Sequence, residues 1–431
     1  MRQAMLDGPQ VGRCNITGVD AQATTVSGRL NPDAQAIPPN DVRTRGGAAA
    51  PSCDVIESAA VLEAIAAEWD DLLSDSPSRT LFLTPDWVRS WMRTVRPEAH
   101  VLAVAARDAC GRLVGLAPFY VASMRLVNLV RFRCLRVLGD TFCGAEYPDV
   151  IVRRGCEGTG AGLLQALEVR GDRWDVMWLT KLAGWTGAAE RIREGADNLG
   201  WRVQSRERTF SCVPLPDTFE AFFARLSSNA RSMLRRRMKQ LTTAGVQFER
   251  YCDTTPLPEA LETLFRLNDL RWSAAGLRGS FVRKPKEADF YREFAPRARN
   301  RGWLRMYAAR LAGQVAAVQL GYVYDGVYHQ MQEGFDPSAP RGVGNALRQW
   351  SIERLIEEGV RTYDFLGGLT EHKRRWLAEP RAGCDLLLGR PTLKNRLLFT
   401  RPVWPTGRFL RDPDDVRHDP PPPEPTETGE A

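Results

Sequence analysis

The loop Arg341-Gly342-Val343-Gly344-Asn345-Ala346 is the segment of this chain best suited to grip a ligand. It opens an amphipathic helix with apolar residues at Leu347, Trp350, Ile352, Leu355 and Ile356, which Gly359 stops. A short apolar strand, Tyr363-Asp364-Phe365-Leu366, follows and ends at Gly367-Gly368. The first backbone N–H groups of a helix have no partner within it and carry the positive end of its dipole. A glycine-containing loop entering such a helix lets a phosphate or pyrophosphate approach the backbone closely. Taken alone, the same loop also reads as an ordinary helix entry.

A second feature is basic. No acidic residue lies between Ala221 and Phe248, whereas Arg225, Arg231, Arg235, Arg236, Arg237 and Lys239 all do. Such a face attracts the phosphates of a nucleotide, a nucleic acid or a membrane surface, or is simply solvated. No Ser-His-Asp or Cys-His order stands out, so covalent catalysis is not indicated. With only four histidines, His100, His329, His372 and His418, a histidine-built metal centre is not expected. No metal is assigned.

These residues need a scaffold, and the composition bounds it. At 431 residues, 43% hydrophobic and 26% charged, the chain has the make-up of a soluble globular protein with two lobes. Its net charge of +7 is modest for this length. No apolar run approaches the ~18 residues of a transmembrane helix, and no secretory signal follows Arg2. Nine singly scattered cysteines without C-x-x-C spacing suit reduced thiols in the cytoplasm.

Residues 1–51 and the chain from about 412, within a C-terminal extension 393–431, read as disordered tails. Between them strands and helices alternate. The first lobe, 52–211, opens with a strand near Val55 and a helix from Ala59 to Leu73. Thr84 then caps a helix with Pro85 in its first turn. The second lobe, 212–392, repeats the first. Ala105-Ala106-Arg107 recurs as Ala308-Ala309-Arg310, each leading into a glycine turn, and Trp174-Asp175-Val176 parallels Tyr363-Asp364-Phe365. Tandem copies of one α/β unit are the expectation.

At this point the residues resemble a known family. Gly334-Phe335-Asp336-Pro337, Gly344 opening a helix, the Tyr363–Leu366 strand, Gly368, and Lys373 with Trp376 follow the order of the CelD-like (BioF-like) acetyltransferase domain. Phe82-Leu83-Thr84-Pro85 with Trp87 and Trp91, and Ser228-Asn229-Ala230-Arg231 leading into Leu234, resemble it too. That family belongs to the GNAT superfamily and is close to the Fem peptidyltransferases. The resemblance runs from about Ser52 to Arg390. It implies an α/β fold of tandem GNAT-like lobes, each a mixed, mostly antiparallel sheet flanked by helices.

The resemblance also implies chemistry. GNAT folds hold the pyrophosphate of coenzyme A on a loop of the form Gln/Arg-x-x-Gly-x-Gly/Ala, which Arg341, Gly344 and Ala346 match. Gly342, Val343 and Asn345 lie between them. Acyl-CoA, acetyl-CoA in the simplest case, is the implied co-substrate. Lys373 is similar to a lysine that Fem enzymes use near the reacting carbonyl, where a cation stabilises an oxyanion. It reads equally as a surface lysine beside Arg374 and Arg375. Glu333 and Asp364 are the candidates for general base, with His329 expected on the strand face of Glu333 because side chains repeat every second residue. Asp364 also reads as a buried structural acid. His329 and Trp376 are candidates for the acceptor site, Trp376 equally for packing.

The implied activity is acyl transfer to an amine, an amino sugar or a polysaccharide precursor. Two alternatives stand beside it. One is a Fem-like aminoacyltransferase fed by charged tRNA, which the Arg231–Lys239 helix would contact. The other is a non-catalytic scaffold in an envelope-polysaccharide system.

Overall fold

Thr84 caps its helix as the sequence predicts: its hydroxyl accepts from the backbone N–H of Trp87, and Pro85 occupies the first turn. The structure, a computed structural model, describes residues 51–126, 130–400 and 410–411. Both expected disordered tails lie almost wholly outside the described residues. The helix expected from Ala59 to Leu73 is two helices, Ala59–Ala64 and Ala66–Ser74, because Ile65 leaves helical geometry between them.

The first half contributes strands β1 (Ser52–Ile56), β2 (His100–Val101), β3 (Ala103–Arg107), β4 (Leu113–Ala117), β5 (Phe119–Leu126), β6 (Val130–Val137), β7 (Ile151–Val152), β8 (Val176–Ala183) and β9 (Arg202–Pro214). The second contributes β10 (Gln247–Arg250), β11 (Leu304–Leu311), β12 (Gln314–Tyr324), β13 (Val327–Phe335), β14 (Thr362–Gly367), β15 (Glu379–Gly389) and β16 (Leu410–Arg411). Among the described residues these strands form a 4-stranded sheet, β1-β3-β4-β7, and a 12-stranded sheet, β10-β11-β12-β13-β14-β9-β15-β8-β6-β5-β16, with β2 on β5.

The two α/β lobes share a detail that sequence similarity only hinted at. In the hairpin β3–β4 the register slips between Ala106 and Arg107; in β11–β12 it slips between Ala309 and Arg310. The repeated Ala-Ala-Arg thus faces the same bulge in both copies, at Val114 of β4 and Ala316 of β12, and a bulge is a specific local device rather than a product of composition. Each lobe also holds one parallel contact made after a crossover helix, β6–β8 and β13–β14.

The lobes exchange their final strands. β9, which closes the first half, pairs with β14 of the second, and β15, which closes the second, pairs with β8 of the first. Between them β9 and β15 run antiparallel from Cys212↔Glu379 to Arg202↔Gly389. β9 therefore crosses the expected boundary at 211/212 without interruption.

Packing follows the sheet. One core lies between the first-half helices and the helices Leu257–Ala274 and Pro285–Asn300; Trp87 sits edge-on to Phe290 and Phe294 at 4.6 and 5.0 Å. A second core lies under the helices Ser228–Thr243 and Val343–Glu357. The eight cysteines among the described residues are all free. No helix of the described residues is long and apolar enough to cross a membrane.

Candidate functional site

The site begins where two parallel strands part. β13 and β14 pair only through Val327↔Thr362, Tyr328↔Tyr363 and His329↔Asp364. Just beyond, Met331 is a bulge: Gln330 faces Gly321 of β12, but Gln332 already faces Leu320. A strand that bulges while its neighbour diverges leaves a gap with polar backbone and side chains on its rim. A cleft of ≈ 230 Å³ opens there, lined by Arg271, Gln330, Glu333, Arg348, His372 and Lys373 among others.

The bulge also corrects an expectation. Strict alternation places His329 and Glu333 on one face, but the extra residue turns the chain over between them. His329 is 4% exposed, its ring against Phe82 and its Nδ1 3.2 Å from Asp364 Oδ2. Glu333 instead joins Gln330, whose Oε1 accepts from the hydroxyl of Tyr363.

On the other side of the gap stands the helix Val343–Glu357. Gly342 caps it in the left-handed conformation, φ 83°, which a Cβ would strain. A Cβ there would also lie 2.8 Å from Nε of Arg237, so the basic helix Ser228–Thr243 lays a guanidinium stem across the loop. Val343 and Ala346 turn inward and are buried, whereas Arg341 is exposed. A Cβ on Gly344 would meet only Phe335, at 3.6 Å. Arg235, Arg236 and Lys239 are exposed and make no ion pair with a carboxylate among the described residues.

One turn into this helix, Arg348 ties loop and cleft together. Its Nη1 donates to Asn345 Oδ1 at 3.2 Å and to His372 Nε2 at 2.7 Å, and its Nη2 donates to Glu333 Oε2 at 2.5 Å. The second Glu333 oxygen accepts from Arg271 Nη1 at 2.8 Å. Burial opposes charge on Glu333, but Arg348 and then Arg271 overcome it and hold the carboxyl down at about 2. His372 is pushed down to about 4, first by burial and then by the charge of Arg348. It is neutral at physiological pH.

The Lys373 ammonium reaches three backbone carbonyls at the end of β14, those of Phe365 at 3.0 Å, Gly367 at 2.7 Å and Gly368 at 3.1 Å. An ammonium has three N–H donors. Lys373, itself on the cleft wall, therefore holds the turn at the end of β14. Asp364 is buried and hydrogen-bonded: Oδ1 accepts from the backbone N–H of Leu366, and Oδ2 from the Tyr147 hydroxyl at 2.8 Å, with His329 alongside. It matches the structural alternative. Trp376, 4% exposed, packs in the core beneath the Arg348 guanidinium. Neither His329 nor Trp376 is among the residues lining the cleft.

Tyr147 reaches Asp364 from an unusual segment. Phe142, Cys143, Gly144 and Tyr147 all have positive φ, and Gly144 lies beside the Met331 side chain. Three cleft residues, Arg271, Arg348 and His372, were not singled out as candidates from the sequence. His372 had a faint signal, since it follows the strand end directly; Arg348 had one in being a charge on an otherwise apolar helix stripe.

Comparison with known proteins agrees with this architecture. Residues 228–374 match the family described as acetyltransferase (GNAT) domain. The fold is similar to that of FemX, with a TM-score of 0.58 at 11% identity over 78% of this chain and 98% of that one. Weaker likenesses include the tandem GNAT protein from the clavulanic acid biosynthesis pathway, with a TM-score of 0.43 at 15% identity over 78% and 98%. Another is the C-terminal domain of a putative lysylphosphatidylglycerol synthetase from Agrobacterium fabrum, with 0.45 at 14% over 77% and 94%. No match is found among curated proteins.

Proposed function

We propose that this chain, whose residues 228–374 match the acetyltransferase (GNAT) domain family, is an N-acyltransferase that moves an acyl group from acyl-CoA to an amine. The observation that carries the reading is the juxtaposition of the Gly342-capped helix N-terminus, with Arg237 across it, and the polar cleft at the parting of β13 and β14. The loop N–H groups and the Arg237 guanidinium suit the pyrophosphate. The acyl end then reaches the gap, where Arg348 connects the two halves of the site.

In the reaction the amine nitrogen attacks the thioester carbon, the carbonyl pair moves to oxygen, and collapse expels the thiolate. Glu333, held near 2, accepts a hydrogen bond but is a poor proton acceptor at neutral pH. Two guanidiniums and one carboxylate leave the cleft positive, which favours the neutral, nucleophilic form of the amine. Its departing proton goes to water. Asn268, Ser280, Gln330 and Gln332 on the cleft wall fit a hydroxyl-rich acceptor such as an amino sugar or glycan precursor. A cytoplasmic setting fits this donor and the free cysteines.

Titration calorimetry with acetyl-CoA and acetyl-pantetheine is the test. Binding of the first much more tightly than the second supports the loop as a phosphate site; no heat from either with folded protein sinks the reading. A second reading rests on the exposed Arg235, Arg236 and Lys239: an aminoacyl donor carried on tRNA. Its affinity must fall steeply with salt, as release of counterions requires.

A further inference from the structure

We propose that His372 is held as the Nδ1–H tautomer and donates that hydrogen to the carbonyl oxygen of the acyl group in the cleft. The inference rests on the acyl-transfer reading.

The tautomer follows from donor chemistry. Arg348 has only N–H donors, and its Nη1 lies 2.7 Å from His372 Nε2. Nε2 must therefore accept, and a neutral imidazole then carries its hydrogen on Nδ1. Arg348 cannot readily swing away. It is 4% exposed and is fixed at the same time by Glu333 and Asn345. His372 and Lys373 both line the cleft, but the Lys373 ammonium is already bonded to three carbonyls of the strand end. Of these two neighbours, His372 is the one whose donor remains for the reacting group.

The charged groups around His372 are Arg348, Glu333, Arg271 and Arg375, with Lys373 and Glu371 as chain neighbours. Three of the four surrounding charges are positive, which supports a neutral ring. A neutral imidazole suits the task. As the amine adds and the carbonyl π pair moves to oxygen, the Nδ1–H bond to that oxygen strengthens; when the C–S bond breaks and the thiolate leaves, it relaxes. His372 neither gains nor loses a proton. The amine's proton goes to water.

The test needs no knowledge of the acceptor. Histidine-selective ¹⁵N NMR on the full chain identifies the protonated nitrogen of His372, assigned by loss of its signal in His372→Gln. Infrared difference spectra of bound [1-¹³C]acetyl-CoA then report the thioester carbonyl in wild type, His372→Gln and His372→Leu. The expected result is Nδ1 protonation without titration between pH 5 and 8. The carbonyl stretch should shift to lower wavenumber in wild type, partly in the Gln variant, whose amide still donates, and not in the Leu variant. Protonation at Nε2, or identical carbonyl stretches in all three proteins, overturns the assignment. Failure of every protein to bind acetyl-CoA while folded removes the acyl-transfer reading, and this inference with it.

Discussion

Arg348 Nη2 and Glu333 Oε2 are 2.5 Å apart, joining the helix Val343–Glu357 to the cleft strand through a guanidinium that is 4% exposed. Arg271 completes the clamp from the other oxygen. Removing one partner of such a pair strands the other charge, so Glu333→Gln should cost ~2–4 kcal/mol at pH 7. The carboxyl ionises near 2 in the fold against an ordinary 4.5, so the unfolded chain binds more protons between these values. The contribution is therefore complete above 4.5 and is lost as pH falls toward 2. Urea midpoints taken from pH 7 to 3 should fall in wild type and fall less in the variant. Equal stability of the two proteins at pH 7 contradicts the clamp.

Arg237 and Gly342 give a second prediction. Arg237→Gln removes a charge beside the loop without touching the cleft, so acyl-CoA affinity should drop about tenfold, the worth of one charge-assisted hydrogen bond. Acyl-pantetheine, which lacks the pyrophosphate, should bind both proteins equally in calorimetry. Parallel losses for both ligands would remove Arg237 from the phosphate site. Gly344→Ala is the companion variant. Its Cβ meets only ordinary contact at 3.6 Å, so a loss of donor affinity in a fully stable protein reports ligand approach.

What was legible in the sequence is what local chemistry dictates. The Thr84-Pro85 cap and the Tyr363–Leu366 strand follow from neighbouring residues; the helix after Arg341 was legible too, but it starts at Val343 behind Gly342 rather than at Gly344, so Val343–Ala346 form its first turn and not a loop. The repeated Ala-Ala-Arg marked a shared unit whose common bulge appears only in the pairing. The Met331 bulge had no signature, because every residue of Val327–Phe335 is compatible with a regular strand. That single unread residue placed His329 and Glu333 on one face when they belong to two. The exchange of β9 and β15 was equally hidden, since Cys212 and Glu379 lie far apart in sequence and pairing at such distance leaves no local pattern. Arg348 escaped because a buried charge is recognised only once its partners are known.

Lys373 supplies a test that separates holding a turn from stabilising an oxyanion. Its ammonium satisfies three carbonyls at the end of β14. Lys373→Met leaves them to partial solvation, a cost of about 1–3 kcal/mol. Thermal unfolding should move down with any fall in turnover, and donor affinity should weaken as the turn loosens. Full stability with turnover reduced about a hundredfold would instead place the lysine on the reacting carbonyl, as the family resemblance implies.

Tyr147 and Asp364 couple the 142–147 segment of the first half, with its four positive-φ residues, to β14 of the second, hydroxyl to carboxylate at 2.8 Å. Burial, then the charge of Asp364, pushes the phenol well above its usual range, so it stays a donor throughout the working pH. Asp364 also accepts from the backbone N–H of Leu366 and lies beside His329, so its oxygens are engaged in holding β14. Tyr147→Phe should cost ~1–2 kcal/mol, and Asp364→Asn somewhat more. Because each change breaks the same bond, the double variant should fall short of the sum by about 1 kcal/mol. Chemical denaturation of the four proteins measures this. Additive losses would mean the two residues act apart, and a stable Asp364→Asn protein without activity would return the aspartate to the role of general base.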